Sequence, residues 1–466
     1  MKKYLALLLV LVMVLSLAAC ASKPAETTDE PEQTTTEPAP AEETKDEEPA
    51  PAEETKEEEP TEEPADNTEY AVAMITDYGD ITDQSFNQTT YEACKAFCED
   101  NGVQFSYFKP AGDNTADRVA MIEKAVDEGY NVIVMPGYAF GGAIVEAAPE
   151  FPDVKFIALD VAKGDLLEAG VAKAGESYDY NPDNWDLEKY VDMSNVYCAI
   201  YQEELCGYMA GYAAVKLGYK SLGFLGGMAV PAVIRYGYGY VQGADAAAQE
   251  LGTNVQMNYY YGGQFYGDEK ITAKMDGWYD GGTEVVFACG GGIWTSAAEA
   301  ADKHDGKLIG VDVDQNYLGV EGVESGKYKA NPFVTSAMKG LGAAVKNGLD
   351  TVNAGDWSTI AGTNGNFGLE EGDYVGLPTD EASWNFSTFT MDEYNTVLEK
   401  IRNGEIKVDN NSDDATKPTT SSSMITQLMT TDSGICSEPT LTYSTVSSSI
   451  RACVNLFICF SSFLQG

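Results

Sequence analysis

From Tyr70 onward, short apolar runs alternate with amphipathic segments of helical period, and this alternation restricts the folds open to the chain. The first runs are Ala71 to Ile75, Phe105 to Phe108, Val132 to Met135, Phe156 to Leu159 and Val196 to Ile200. A second set follows at Leu222 to Leu225, Val255 to Tyr260, Val285 to Ala288 and Leu308 to Val311. Runs this short, rich in Val and Ile, read as buried strands. Segments such as Val119-Ala-Met-Ile-Glu-Lys-Ala-Val126 read as helices between them. Strand–helix alternation implies a parallel sheet with helices on both faces. Two sets, each of domain size, predict an α/β chain of two similar lobes.

The strand ends carry the candidate chemistry. Met74-Ile-Thr-Asp77 closes on a carboxylate, then a polar loop leads to Ser85-Phe-Asn87 at the start of a helix. Lys155-Phe-Ile-Ala-Leu-Asp160 and Lys307-Leu-Ile-Gly-Val-Asp312 repeat the pattern, and Phe287-Ala-Cys-Gly-Gly-Gly292 ends a strand in glycines, Gly291 among them. In open α/β sheets ligands bind in the crevice at the carboxyl ends of the strands. Glycine there lets the backbone approach a ligand closely. Asp77, Phe86 and Asn87 therefore stand where a small molecule would lie, with Trp294 as a further candidate wall. Each residue also has an ordinary reading: Ser85 as helix cap, Asp77 as turn cap, Phe86 as a staple onto the core. Three strand-end aspartates together with a glycine turn favour a ligand cleft.

Composition removes other classes. The net charge is −45, most densely placed before Tyr70, which argues against a nucleic-acid or anionic-membrane partner. One histidine, His304, cannot build a histidine zinc cluster or a histidine-based triad. Of nine cysteines, Cys94, Cys98, Cys198, Cys206 and Cys289 sit in apolar patterns and read as small buried hydrophobes. No metal-ligand spacing stands out, no cofactor is expected, and no GxxxxGK[ST] phosphate loop is present.

The ends are unlike the middle. Residues 1–19 read as a signal peptide. Leu17-Ala-Ala-Cys20 resembles the bacterial lipobox, which implies cleavage before Cys20, lipidation there, and tethering at the outer face of the cytoplasmic membrane. Residues 20–69, nearly all Glu, Asp, Pro, Thr and Ala, read as a disordered extended linker. Periodicity fades near Lys407, and 408–466 reads as a Ser/Thr-rich tail, disordered or artefactual, with no function assigned.

Thr76-Asp-Tyr-Gly-Asp-Ile-Thr-Asp-Gln-Ser-Phe-Asn-Gln88, Tyr201-Gln-Glu-Glu-Leu-Cys-Gly-Tyr-Met-Ala-Gly211, Gly223-Phe-Leu-Gly-Gly227, Arg235-Tyr-Gly-Tyr-Gly239, Gly310-Val-Asp-Val-Asp-Gln315 and Val334-Thr-Ser-Ala-Met-Lys339 occur in this order. Together they resemble the basic membrane protein family of bacterial lipoproteins, the substrate-binding components of nucleoside importers. The resemblance implies two Rossmann-like lobes of a type I periplasmic-binding-protein fold, joined by three crossings, with ligand in the cleft between them. It places the N-terminal lobe at 70–202 plus 334–360 and the C-terminal lobe at 203–333 plus 361–407. Hinges are expected near Ile200 to Gln202 and Asn331 to Thr335.

By matching positions, Phe86 would stack on a purine, Asp77 and Asn87 would line the same wall, and Asp160 would meet the base edge. Asp312 and Lys339 would hold the ribose hydroxyls, with Tyr236 or Phe265 supplying the opposite aromatic face. The implied partners are a nucleoside, a permease and its ATPase, with the chain itself a monomer and no enzyme. A sugar or autoinducer-type ligand with the same fold remains the alternative. A hydrolase built on Asp77 and Asp312, or a sensor feeding a receptor kinase, are further readings.

Overall fold

The computed structural model describes residues 70–370, 372, 374–384, 386–413, 420 and 425–429. The signal peptide, Cys20 and the acidic linker lie outside the described residues. Each apolar run forms a strand: β1 (Val72–Ile75), β2 (Phe105–Phe108), β3 (Val132–Pro136), β4 (Lys155–Leu159) and β5 (Val196–Tyr201) in the first lobe. In the second are β6 (Ser221–Gly226), β7 (Val255–Tyr261), β8 (Val285–Cys289), β9 (Lys307–Asp312) and β10 (Phe333–Lys339). The first five pair in the order β5-β4-β3-β1-β2, and the next five in the order β10-β9-β8-β6-β7. The two orders are the same pattern used twice, and every pair within them is parallel. β1, β3, β6 and β8 are buried almost end to end because helices cover both faces of each sheet.

Such an order reverses direction between β1 and β3, and again between β6 and β8. Those are the points where loops leave on opposite sides and a crevice opens. Asp77 and Gly137 flank the first crevice, and Gly227 and Gly290 flank the second.

The lobe boundaries differ from the expectation. The first crossing follows β5 and enters helix Glu203–Lys216. The second falls between Lys339 and Leu341 rather than at Asn331 to Thr335, because β10 pairs with β9 and so belongs to the second sheet. Helix Leu341–Asn353 then packs on helix Phe86–Asn101 of the first lobe. β11 (Asn364–Phe367) adds to β5, and the third crossing leads to β12 (Val375–Gly376), antiparallel to β10. Residues 333–339 thus lie in the second lobe and 364–367 in the first. Local pattern marks Phe333–Lys339 as strand-forming, but which sheet it joins is a pairing decision made elsewhere in the chain. Asn364-Gly-Asn-Phe367 has no apolar run, being an edge strand held by its backbone bonds.

The tail also departs from expectation. Asp409 N donates to Gln242 Oε1 at 2.8 Å, and Tyr238 OH donates to the Asp413 carbonyl at 2.9 Å. The chain therefore runs on along helix Pro231–Leu251. Further on, β13 (Ile425–Met429) pairs in parallel with β7 and extends that sheet.

Helix Glu203–Lys216 starts at the first crossing and is buried on nearly all sides. It lies backbone to backbone against helix Pro231–Leu251. A Cβ at Gly207 would stand 2.2 Å from Tyr236 O, and one at Gly243 would stand 1.9 Å from Tyr208 O. Glycines four residues apart on both helices permit that approach. It fixes Glu203 and Arg235, one on each helix, beside one another.

Candidate ligand-binding site

The strand-end aspartates of both lobes share an unusual backbone. Asp160 after β4 and Asp312 closing β9 have φ of 60° and 67°, left-handed values that Asp tolerates better than most residues. Such conformations persist only where surroundings over-determine them, and they cluster at functional sites. Both carboxylates are drawn to one cation. Lys339, at the end of β10, places Nζ 2.5 Å from Asp160 Oδ2, 3.5 Å from Glu203 Oε1 and 3.8 Å from Asp312 Oδ1. Glu203 is fully buried, and its other oxygen takes Arg235 Nε at 2.7 Å.

Three carboxylates and two cations thus meet where the lobes meet, with Asp160 alone coming from the first lobe. Burial pushes the Asp160 carboxyl up to about 6, against the pull of Lys339, with Glu203 pushing the same way. Burial raises Asp312 likewise, against Lys339 and the Ser85 hydroxyl. Lys339 is held well above its ordinary value, since its carboxylates outweigh the burial that would lower it. One ammonium is shared among several anions, so it is amply stabilised while Asp160 and Asp312 are only partly so. Asp160 Oδ1 is buried with no hydrogen-bond partner among the described residues.

The same ammonium is framed by rings, at 4.8 Å from the Phe86 centroid, 5.4 Å from Tyr201 and 5.7 Å from Tyr236. Phe86 is half-buried, and among the described residues its ring makes no aromatic pair. Phe86, Asp160, Tyr236, Asp312 and Lys339 are therefore brought together around one centre.

The other expected residues are placed differently. Asp77 turns into its own loop, accepting from Tyr78 N at 2.7 Å and Gly79 N at 2.8 Å, and packs against Gly137. This is the turn-cap role. Asn87 is buried beside it, with Oδ1 unpaired among the described residues. Ser85 makes no side-chain cap bond; Asp83 takes that role, accepting from the backbone N–H groups of Ser85, Asn87 and Gln88. Phe265 seats its ring on the second crevice, where a Cβ at Gly227 would be 2.3 Å and one at Gly290 2.9 Å from ring carbons. Gly291 has φ of 48°, and a Cβ there would crowd the Phe265 carbonyl at 2.9 Å. The glycine run is thus shaped around Phe265. Trp294 packs against Phe333, and its indole N–H donates across the lobes to Asp83 O at 3.3 Å.

Sequence reasoning passed over Glu203, Tyr201 and Gln315. A signal existed for Glu203: adjacent acids, Glu203 and Glu204, inside an otherwise apolar stretch opening a helix. The open hollow beside Trp185, Lys189 and Tyr190 lies on an outer loop and includes none of the site residues. Among the described residues no group of acidic, His or Cys side chains has the arrangement to hold a metal ion.

The family described as ABC transporter substrate-binding protein, PnrA-like (Bmp), matches residues 70–412. The ABC transporter nucleoside-binding protein BmpA of Lactococcus lactis is 28% identical over 329 residues, covering 68% of this chain and 83% of that protein. An uncharacterized lipoprotein of Pyrococcus horikoshii is 24% identical over 366 residues, covering 72% of this chain and 82% of that one. The crystal structure of an ABC transporter solute-binding protein from Aeropyrum pernix K1 superposes with a TM-score of 0.58 at 21% identity, covering 74% and 95% of the two chains. That likeness shows a shared fold, and the family match takes in β1 to β12. The chain belongs to the PnrA-like (Bmp) family of ABC transporter substrate-binding proteins, which bind and deliver ligands and are not enzymes.

Proposed function

We propose that the ligand is a nucleoside, purine in preference, taken between the lobes and delivered to a membrane permease driven by a separate ATPase. One observation carries the reading: Phe86, whose ring makes no aromatic pair among the described residues, stands beside left-handed strand-end carboxylates from both lobes and a buried ammonium. A nucleoside presents the complementary groups, a π-face, ring donors and a hydroxylated sugar. Base–aromatic stacking contributes about 1 to 3 kcal/mol. In this reading Phe86 stacks on the base, Asp160 uses its unpaired Oδ1 at the base edge, and Asp312 with Lys339 holds the ribose. Tyr236 and Phe265 are the candidates for the second aromatic face, with Asp77, Asn87, Gly291 and Trp294 around the pocket. The name of the Lactococcus lactis relative supports the ligand class.

We further propose lipid anchoring through Cys20 at the outer face of the cytoplasmic membrane, with the folded part monomeric on its acidic linker. Lipoprotein-named relatives support the anchor. Among the described residues no helix is long and apolar enough to cross a membrane. The test is calorimetric titration of the chain, unfolded and refolded to strip carried ligand, with adenosine, guanosine, inosine, cytidine, uridine and ribose. Tight purine nucleoside binding without turnover is expected. Binding of ribose alone, or of none, would remove the nucleoside reading and leave the family standing.

A further inference from the structure

Adjoining the charged cluster, and sharing Asp312 with it, a short segment of the first lobe is gripped by four side chains of the second. Trp294 Nε1 donates to Asp83 O at 3.3 Å, and Gln315 Nε2 donates to Gln84 O at 2.9 Å. Tyr317 OH bonds Gln84 Oε1, and Ser85 Oγ donates to Asp312 Oδ2 at 2.5 Å. The segment is stiff on its own side, since Asp83 accepts three backbone N–H groups from Ser85, Asn87 and Gln88. Gln84 holds a left-handed φ of 57°, and its carbonyl meets Gln315 of the other lobe. A non-glycine residue keeps that conformation only where several contacts agree on it.

Gln315 is the centre of the grip. It is fully buried, its Oε1 accepts from Val311 N at 3.1 Å within its own lobe, and its backbone N–H donates to Ser336 Oγ at 3.0 Å. Its amide is thereby pre-aimed before the lobes meet, so the bond to Gln84 costs little ordering at closure. We propose that Gln315 and Tyr317, acting on the Gln84 turn, form a closure catch that sets how long the lobes stay shut on the ligand. They are positioning residues, acting through lobe closure rather than by touching ligand.

Two full-chain variants test it. Tyr317→Phe removes one bond and leaves the ring. Gln315→Glu keeps the oxygen that Val311 N uses and replaces the donor facing Gln84 O by a second oxygen. Adenosine release is followed by stopped-flow fluorescence at pH 8, and the compact fraction by solution scattering with and without adenosine. One neutral hydrogen bond corresponds to about threefold to tenfold in an equilibrium. Expected are roughly threefold faster release for Tyr317→Phe and tenfold or more for Gln315→Glu, with association rates little changed and fewer compact molecules in the latter. A general loss of fold would instead lower the amount of active protein at an unchanged release rate. Wild-type release from both variants overturns the proposal. If adenosine does not bind the wild type, the nucleoside reading fails separately, and the catch is judged by the ligand-free chain. Equal compact fractions in wild type and Gln315→Glu, or no compact fraction in the wild type, would then overturn it.

Discussion

Replacing Lys339 by Met would remove one charge from a buried set and leave the rest in conflict. Among the described residues Arg235 would then be the cation left to Asp160, Glu203 and Asp312, and it bonds Glu203. Removing one partner of a buried ion pair costs about 3–5 kcal/mol, because the remaining charge is uncompensated. The cost must depend on pH. Asp160 has a folded pKa of about 6, above its unfolded value, so the folded state holds more protons and stability falls as pH rises from the unfolded value through about 6. Lys339 is the main group pulling that value down, so its loss raises the folded pKa further and extends the falling window upward. At pH 5 Asp160 is mostly protonated with or without Lys339, and the variant escapes much of the penalty. Urea unfolding of wild type and Lys339→Met at pH 5 and pH 7.5 measures both. The expected loss is about 3–5 kcal/mol at pH 7.5 and clearly less at pH 5. Equal losses at the two pH values would refute the shared-ammonium account.

Other outcomes follow from the same geometry. Phe86→Ala should weaken purine nucleoside binding about tenfold or more with an unchanged circular dichroism spectrum, as calorimetry would read; wild-type affinity would end its stacking role. Asp312→Ala should weaken ribonucleosides much more than the free bases, and equal losses would count against its place at the ribose. Gly243→Ala forces a Cβ to 1.9 Å from Tyr208 O, so the two central helices must separate. A destabilisation of about 1–3 kcal/mol or more, read by thermal melting, is expected. An unchanged melting temperature would mean that the helices part freely.

The residues of the opening loop divide between contacts within the loop and contacts across the lobes. Asp77 serves its own turn, while Phe86 stands under the cleft cation. The ordinary role given to Ser85 went to Asp83, two residues earlier, because the Ser85 hydroxyl is spent on Asp312. Local sequence cannot decide between such uses, since a serine before a helix looks the same whether its hydroxyl turns inward or across.

The sequence by itself determined the two α/β lobes, because strand and helix periods are local and each apolar run had nowhere to go but a buried sheet. It also determined that carboxylates end β4 and β9, since the strand period places them. What only the tertiary structure decided was pairing. β10 joins the second sheet and β11 the first, so the crossings moved. Lys339 reached Asp160, which lies 179 residues away, and Gln315 met Gln84 across 231. Those contacts exist because two separately formed sheets present their strand ends to one cleft, and no window of sequence contains both sides of it.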